Sequence, residues 1–392
     1  MDNEESLKLS NSLILLMVIT CGVSVANIYY NQPILGDLAR YFNVSTKSIG
    51  LVSTFTQIGY GLGMLFIVPL GDIKERKSLI INMLFISTIS LVLFGISMNF
   101  YWLLVSSFLV GFSSIITQLI VPFAASLANP NESGAVIGKV LSGALVGILL
   151  ARTISGFVGS RFGFRIIFFS AALLMLLLSF TLKKLLPSSL PTSSDKYINI
   201  MGSLFSIFKN NSIVRSSSII GAMMFASFSV FWTTLIFHLE SPSYNLGAKE
   251  AGLFSLVGIT GVLFTPLTGK LSDKKSPRFT VGLSIFVVIL SYFVLLLFGE
   301  NIFGLILGVI LLDLGISSGQ VSNQAMIHSL NSEAKNRFNT IFMFLYFSGG
   351  SIGSFLGTFS WNKFGWAGVC IAGLLLLFVA LITYCTMRRK NN

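Results

Sequence analysis

The sequence predicts an all-α polytopic membrane protein of twelve transmembrane helices, and three observations predict it. Of its 392 residues, 54% are hydrophobic and only 10% are charged, with a mean hydropathy of +0.84. A soluble domain carries about 25% charged residues, so lipid must solvate much of a chain that also holds 36 Phe. The apolar residues form continuous runs of about twenty, the length of a membrane-crossing helix. The alternating stretches of about ten expected of a membrane β-barrel are not the pattern here. Finally, the basic residues gather in short loops between the runs, as the positive-inside rule requires.

On the length criterion the spans fall near 11–33, 47–70, 79–98, 101–123, 135–160 and 164–184, then 213–239, 249–271, 279–299, 302–327, 338–361 and 365–387. The expected domains are an N-terminal six-helix bundle over 1–184, a cytoplasmic linker over 185–212 and a C-terminal six-helix bundle over 213–392. The linker contains Pro187, Pro191 and a stretch from Ile198 to Lys209 that reads equally as an amphipathic surface helix or as plain connection. Residues 1–10 hold Asp2, Glu4 and Glu5 against Lys8, the wrong sign for a signal peptide, so the first run is expected to be an uncleaved span.

Orientation follows from Lys and Arg. With the N-terminus inside, nineteen of the 26 basic residues are cytoplasmic and six are outside, leaving Arg152 within a span. An even number of spans then places both termini in the cytoplasm, and Arg388-Arg389-Lys390 agrees. The net charge of +12 therefore marks topology, and no nucleic-acid partner is expected. Cys21, Cys370 and Cys385 lie inside apolar runs with no metal or disulfide spacing, so packing is their expected role.

The chain repeats itself. Phe66 to Lys77 ends one apolar run with Gly71-Asp72 and a basic cluster, and Gly269 to Arg278 is a weaker copy around Asp273. Glu132 corresponds to Glu333, Gln118 to Gln320, and Phe162-Gly163-Phe164 to Phe364-Gly365-Trp366, all at a spacing of 201 or 202. Ser142-Gly143-x-x-x-Gly147-x-x-x-Ala151 returns as Ser348-Gly349-x-x-x-Gly353-x-x-x-Gly357. The order argues for two homologous halves related by an axis along the membrane normal.

An ionisable residue inside a span costs about 2.5–3.5 kcal/mol on insertion scales, which makes it a functional candidate by default. Arg152 and Asp313, one from each half, are the two. Asp313 is a candidate proton acceptor or cation partner, and a static buried ion pair or a hydrogen-bonded anchor that fixes helix packing is the alternative. Asn27, Tyr30, Asn31, Gln118, Trp232, Thr234, Gln320 and Asn323 are candidate substrate contacts. Interhelical hydrogen bonding and, for Tyr29 and Tyr30, an interfacial aromatic belt are the competing roles. His238 and His328, near span ends, are expected to be solvated. No nucleophile–base arrangement, zinc spacing or phosphate loop is present, and neither catalysis nor a cofactor is expected.

The chain resembles the major facilitator superfamily: twelve spans in two halves, a central linker, and a Gly/Asp/basic loop after spans 2 and 8. Asn27 to Pro33, Arg152-Thr153, Phe231 to Thr234, Asp313 to Gly315 and Ser322 to Ala325 are similar to a bacterial branch grouped with drug:proton antiporters and sugar-efflux carriers. The family loop Gly-x-Leu-x-Asp-Arg-x-Gly-Arg-Lys maps onto Val68 to Lys77. Leu70, Asp72, Arg76 and Lys77 match, whereas Val68, Ile73 and Glu75 depart. The resemblance implies that Asp72 meets the N-terminus of span 11 across the halves, near Glu333 to Asn336, where a helix dipole favours an anion. It implies further that Arg76 takes a carboxylate of its own half, with Glu132 the candidate. Asp273, Arg278 and Glu333 would form the eroded copy of this gate, and Arg76 and Lys77 could instead only set topology. Two departures bear on antiport: Ser107 replaces the family's span-4 Arg, and span 5 keeps Gly143 and Gly147 without the family's proline.

The expected function is alternating-access transport in a bacterial inner membrane, with a small organic compound exported in exchange for protons. An importer or uniporter is the alternative, and a membrane-embedded enzyme or lipid-handling protein is the reading from another class. The expected partners are the substrate, protons and the bilayer, and the expected state is a monomer.

Overall fold

The computed structural model describes residues 10–129, 132–189, 191, 196–330 and 335–387; for residues 260–262, 264–266, 270, 273 and 335 the backbone alone is described. Every regular element among the described residues is helical. α1 (Asn11–Tyr29) begins at Ser10, whose hydroxyl accepts from the Leu13 N–H, and ends before Pro33 opens a 3-10 turn at Gln32–Ile34. α2 (Leu35–Phe42) continues it and stops at Asn43 in the left-handed conformation. α3 (Thr46–Ile67) and the short α4 (Leu70–Ile73) lead into α5 (Arg76–Gly95). α6 (Phe100–Ser113) and α7 (Ile116–Leu127) form a near-continuous pair, followed by α8 (Ser133–Phe162) and α9 (Phe164–Leu185).

The linker contains a helix, α10 (Tyr197–Asn210), whose Ile200 and Leu204 are buried. The amphipathic reading of that segment therefore holds over the plain one. Beyond it come α11 (Ser212–Leu239), α12 (Ala248–Val257), α13 (Ile259–Lys274), α14 (Pro277–Phe298), α15 (Ile302–His328) and α16 (Lys335–Thr386).

Among the described residues, ten helical stretches are long and apolar enough to cross a membrane, against the twelve expected. The difference has two local causes. α16 is a 52-residue helix bent at Gly365 (φ 60°, ψ −151°), a conformation open to glycine. The predicted eighth span is divided at Gly258 into α12, of 10 residues, and α13, of 16.

Backbone geometry repeats along with the sequence. Gly163 and Gly365 both have positive φ (81° and 60°), and Asn43 and Asn245 both sit at φ 51°. Each pair is 202 residues apart, the same period as the sequence repeat. Helix packing follows suit: α1 lies against α8 as α11 lies against α16, α3 against α6 as α13 against α15, and α5 against α6 as α14 against α15. Across the middle, α3 meets α16 and α8 meets α12. This is the symmetric arrangement expected of two bundles.

Close helix crossings use the glycine ladders. A Cβ on Gly147 would meet the Gly22 carbonyl, and one on Gly353 would meet the Ala226 carbonyl. Small residues let the backbones touch, which is how apolar helices associate where lipid removes the hydrophobic drive. Large apolar side chains such as Leu297 and Phe286 point outward, 69% and 62% exposed.

Three expectations change. Tyr29 and Tyr30 are buried, 5% and 8% exposed, so they belong to the interior and not to an interfacial belt. His238 is enclosed, stacked on Trp366 at 3.8 Å with its Nε2 2.9 Å from the Gly299 carbonyl oxygen. Cys385 is exposed, whereas Cys21 and Cys370 are buried as expected.

Candidate functional site

At one end of the molecule α2 abuts the end of α11. Arg40 donates from Nη1 to Glu240 Oε2 (3.0 Å) and from Nη2 to Glu240 Oε1 (2.8 Å), a two-pronged pair. Nη2 also reaches Asp37 Oδ1 at 2.6 Å, one turn back on α2. Gly36 makes the approach possible, since a Cβ there would strike the Glu240 carboxylate. Below this cap lie further bonds between the two sets of helices. Gln57 Nε2 donates to Ser354 Oγ (2.9 Å), and the Thr153 and Ser255 hydroxyls stand 2.9 Å apart. This end is sealed.

The opposite end is open. A cavity of about 450 Å³ lies between the two sets of helices, lined by Asp72, Arg76, Gln118, Gln324, Arg337 and Asn339 among others. The Gly-Asp loop and the first turn of α16 thus face the same cavity. Arg76 is held beside it: Nε donates to the Gly71 carbonyl (3.0 Å), Nη1 to the Pro122 carbonyl (3.3 Å), and Nη2 to Asp72 Oδ1 (3.4 Å). Its carboxylate is therefore Asp72 and not Glu132, which is exposed and accepts from Asn129 Nδ2 (3.4 Å). The i, i+4 spacing of Asp72 and Arg76 makes the local pair the shorter reach.

Lys77 lies in the first turn of α5, partly buried. Arg278 sits over the Tyr384 ring at 5.5 Å. Glu333 lies outside the described residues, as does the Asp273 side chain. α10 closes the flank of the cavity. Tyr197 Oη donates to the Phe66 carbonyl (2.9 Å), and Arg337 Nη1 donates to Ser203 Oγ (3.2 Å), so the linker helix touches both sets. Burial raises the Tyr197 pKa, keeping the phenol a donor.

An aromatic wall ends the cavity toward the middle. Gln118 Nε2 is 3.5 Å from Tyr60 Oη; the Tyr60 ring packs on Phe347 at 4.3 Å, and Phe225 stacks on Tyr346 at 4.1 Å. Gln320 Oε1 accepts from Tyr346 Oη at 3.4 Å. Of the eight candidate substrate contacts, Gln118 lines the cavity. The rest lie deeper or are engaged elsewhere. Both ends of the Asn31 amide bond α3, to Thr56 Oγ1 (3.0 Å) and Ser53 Oγ (3.1 Å), which makes it a helix anchor. Tyr30 packs edge-on against Phe168, and Thr234 returns its hydroxyl to the Val230 carbonyl (2.7 Å). Asn27 and Asn323 each leave a buried amide oxygen without a partner.

Behind the wall are the two intramembrane charges. Arg152 is 2% exposed and comes from the middle of α8. Its Nε donates to Gln32 Oε1 (2.8 Å), and its guanidinium lies over Trp232 at 4.0 Å, Tyr29 at 4.8 Å and Phe228 at 5.4 Å. Asp313, on α15, is 9% exposed, and a Cβ at Gly258 would sit 3.1 Å from its carboxylate. That glycine is the N-cap of α13, so the carboxylate stands at a helix N-terminus, where an anion is favoured. No ion pair within 4.0 Å joins the two charges. The direct static pair is thereby set aside.

Sequence reasoning missed Arg40 and Glu240, Gln57, Tyr60 and Gly258. A signal existed for the first pair. They are 200 residues apart, close to the repeat period, so they occupy near-equivalent positions and meet near the axis. Gln57 and Gly258, 201 apart, likewise occupy near-equivalent positions, on α3 and at the α12–α13 break, and each faces its own partner, Ser354 for Gln57 and Asp313 for Gly258.

Comparisons with known proteins agree with this architecture. The family model described as the Major Facilitator Superfamily matches residues 15–301 and 217–391. An uncharacterized transporter of Escherichia coli O157:H7, YgaY, is 36% identical over 377 residues, covering 96% of each chain. The inner membrane transport protein YnfM of Escherichia coli K12 is 23% identical, covering 93% of this chain and 88% of its own. Among solved structures, a bacterial homologue of the human lysosomal transporter Spinster, inward-facing and occupied, superposes with a TM-score of 0.75 at 14% identity, covering 95% of both chains. The nucleoside transporter NupG gives 0.76 at 16% identity, covering 97% of this chain and all of that one. At these identities the structures share the fold.

Proposed function

Because the chain belongs to the major facilitator superfamily and moves a small solute across a membrane, we propose that it is a proton-coupled exporter working by alternating access. Its relatives are transporters, and it is a transporter and not an enzyme. Counting α16 as two spans and α12–α13 as one gives twelve, in bundles over 1–184 and 213–392 joined by a cytoplasmic linker over 185–212. The basic loops assign the Asp72 end, and with it both termini, to the cytoplasm. The conformation is then inward-facing. Two stretches, Asn27 to Pro33 and Asp313 to Gly315, support a place in the drug:proton antiporter-like branch.

One observation carries this reading: one end is sealed by Arg40–Glu240, the other opens on a cavity between the bundles, and two unpaired charges lie buried between. Rocking of the bundles would break the outer seal while Asp72, Arg76 and Lys77 close on the start of α16. Glu132, Asp273, Arg278 and Glu333 would serve the same cytoplasmic gate. Asp313 would carry the proton, its charge balanced against Arg152 and the α13 N-terminus.

The test is a compound panel added to proteoliposomes of the full chain, with internal pH recorded. Substrate-evoked proton movement supports the exporter. Solute flux without proton movement favours the uniporter, and product formation without solute accumulation favours the enzyme.

A further inference from the structure

A buried charge is costly unless it is paired, and the effective penalty in proteins is several kcal/mol per ion. Arg152 is fully enclosed, yet among the described residues no carboxylate lies within 4.0 Å of it. One edge of its guanidinium is fixed by Gln32, and one face is covered by Trp232. The remaining edge is different: Nη2 is buried and has no hydrogen-bond partner. The Trp232 indole Nε1, in the ring that Arg152 stacks on, is buried and unpartnered too. Two orphan donors, one of them cationic, therefore stand together in an aromatic enclosure. Arg presents a fork that matches a carboxylate, and an unsatisfied buried donor costs about 1–3 kcal/mol until an acceptor arrives.

We propose that Arg152 and Trp232 form the anion-recognising end of the substrate site, and that the substrate is an organic carboxylate with an aromatic or apolar body. Arg152 Nη2 and Trp232 Nε1 donate to the carboxylate, and the Tyr29 and Phe228 rings hold the body. Gln32 fixes the guanidinium from behind. Asp313, seated at the α13 N-terminus beyond ion-pair distance of Arg152, leaves the guanidinium free for the substrate. This inference rests on the exporter reading and narrows its substrate.

Binding to the purified full chain tests it, by calorimetry, with three solutes of one body and different heads: phenylacetate, phenylacetamide and phenethylamine. The carboxylate is expected to bind at least roughly tenfold tighter than the amide or the amine. Arg152→Gln should remove that preference, Arg152→Lys should keep part of it, and Trp232→Phe, which retains a ring without the N–H, should weaken it several-fold. Equal binding of the three, preference for the amine, no binding of the carboxylate, or an undiminished preference in Arg152→Gln would each overturn the proposal. Melting curves identify a variant that fails to fold, and Trp232→Phe then decides alone. Proton-coupled transport of a neutral or cationic compound would sink the carboxylate site and leave the exporter standing. Binding with no solute flux for any compound would sink the exporter instead.

Discussion

Replacing Glu240 by Gln removes the charge from the two-pronged contact with Arg40 while keeping its shape. The energy at stake follows from the geometry. Arg40 has 61% of its side chain exposed and Glu240 21%, so solvent screens the pair. Exposed pairs contribute about 0.2–1 kcal/mol, and the two-pronged geometry with a second carboxylate at Asp37 places this one in the upper half of that range. The seal exists in one of two conformations, so its loss acts directly on their ratio. About 0.5–1 kcal/mol is a shift of about two- to fivefold toward the outward-open form. Spin labels at Lys47→Cys and Ser243→Cys, exposed positions on opposite bundles near the seal, report the two populations as distances in a cysteine-free background. A double-mutant cycle with Arg40→Gln isolates the pair from either charge alone. High salt should mimic the variant and add nothing to it. An unchanged distance distribution, or single substitutions that simply add, would refute the assignment of this contact as the outer seal.

Two further outcomes follow from close contacts. Gly258→Ala brings a methyl group to 3.1 Å from the Asp313 carboxylate and should cut transport several-fold while the melting temperature changes little; equal loss of both would make the break merely structural. Gly147→Leu drives a side chain into the Gly22 carbonyl and should cost about 1–3 kcal/mol or more, read as a lowered melting temperature and poor insertion, whereas normal stability would mean that α1 and α8 do not cross there.

Much of the architecture was legible because it is written in long-range composition. Apolar runs of fixed length, basic loops and the Gly-Asp repeat each report on the bilayer, and the bilayer admits few solutions. The repeat even reached the backbone, where Gly163 and Gly365 share a positive φ. Asn43 and Asn245 carried the same signal less visibly, since asparagine adopts the left-handed conformation without requiring it. Contacts between distant residues were harder. The resemblance pointed Arg76 to Glu132, and only the fold shows that Asp72, one turn away, takes it. Asn31 looked like a ligand group because its type permits that; its two bonds to α3 are invisible in sequence. Gly258 was one glycine among 36, and nothing local marked it as a break beside Asp313. Arg152 and Asp313 stood out because charge is rare in lipid, although their separation could not be read from their positions.

The central claim is that a proton on Asp313 drives solute movement between the two open forms. The most direct measurement is solute transport under an imposed pH gradient in proteoliposomes, compared between the native chain and Asp313→Asn. The account predicts that the variant loses gradient-driven accumulation but still exchanges solute for solute, because the bundles still rock. Undiminished gradient-driven transport by Asp313→Asn would contradict it.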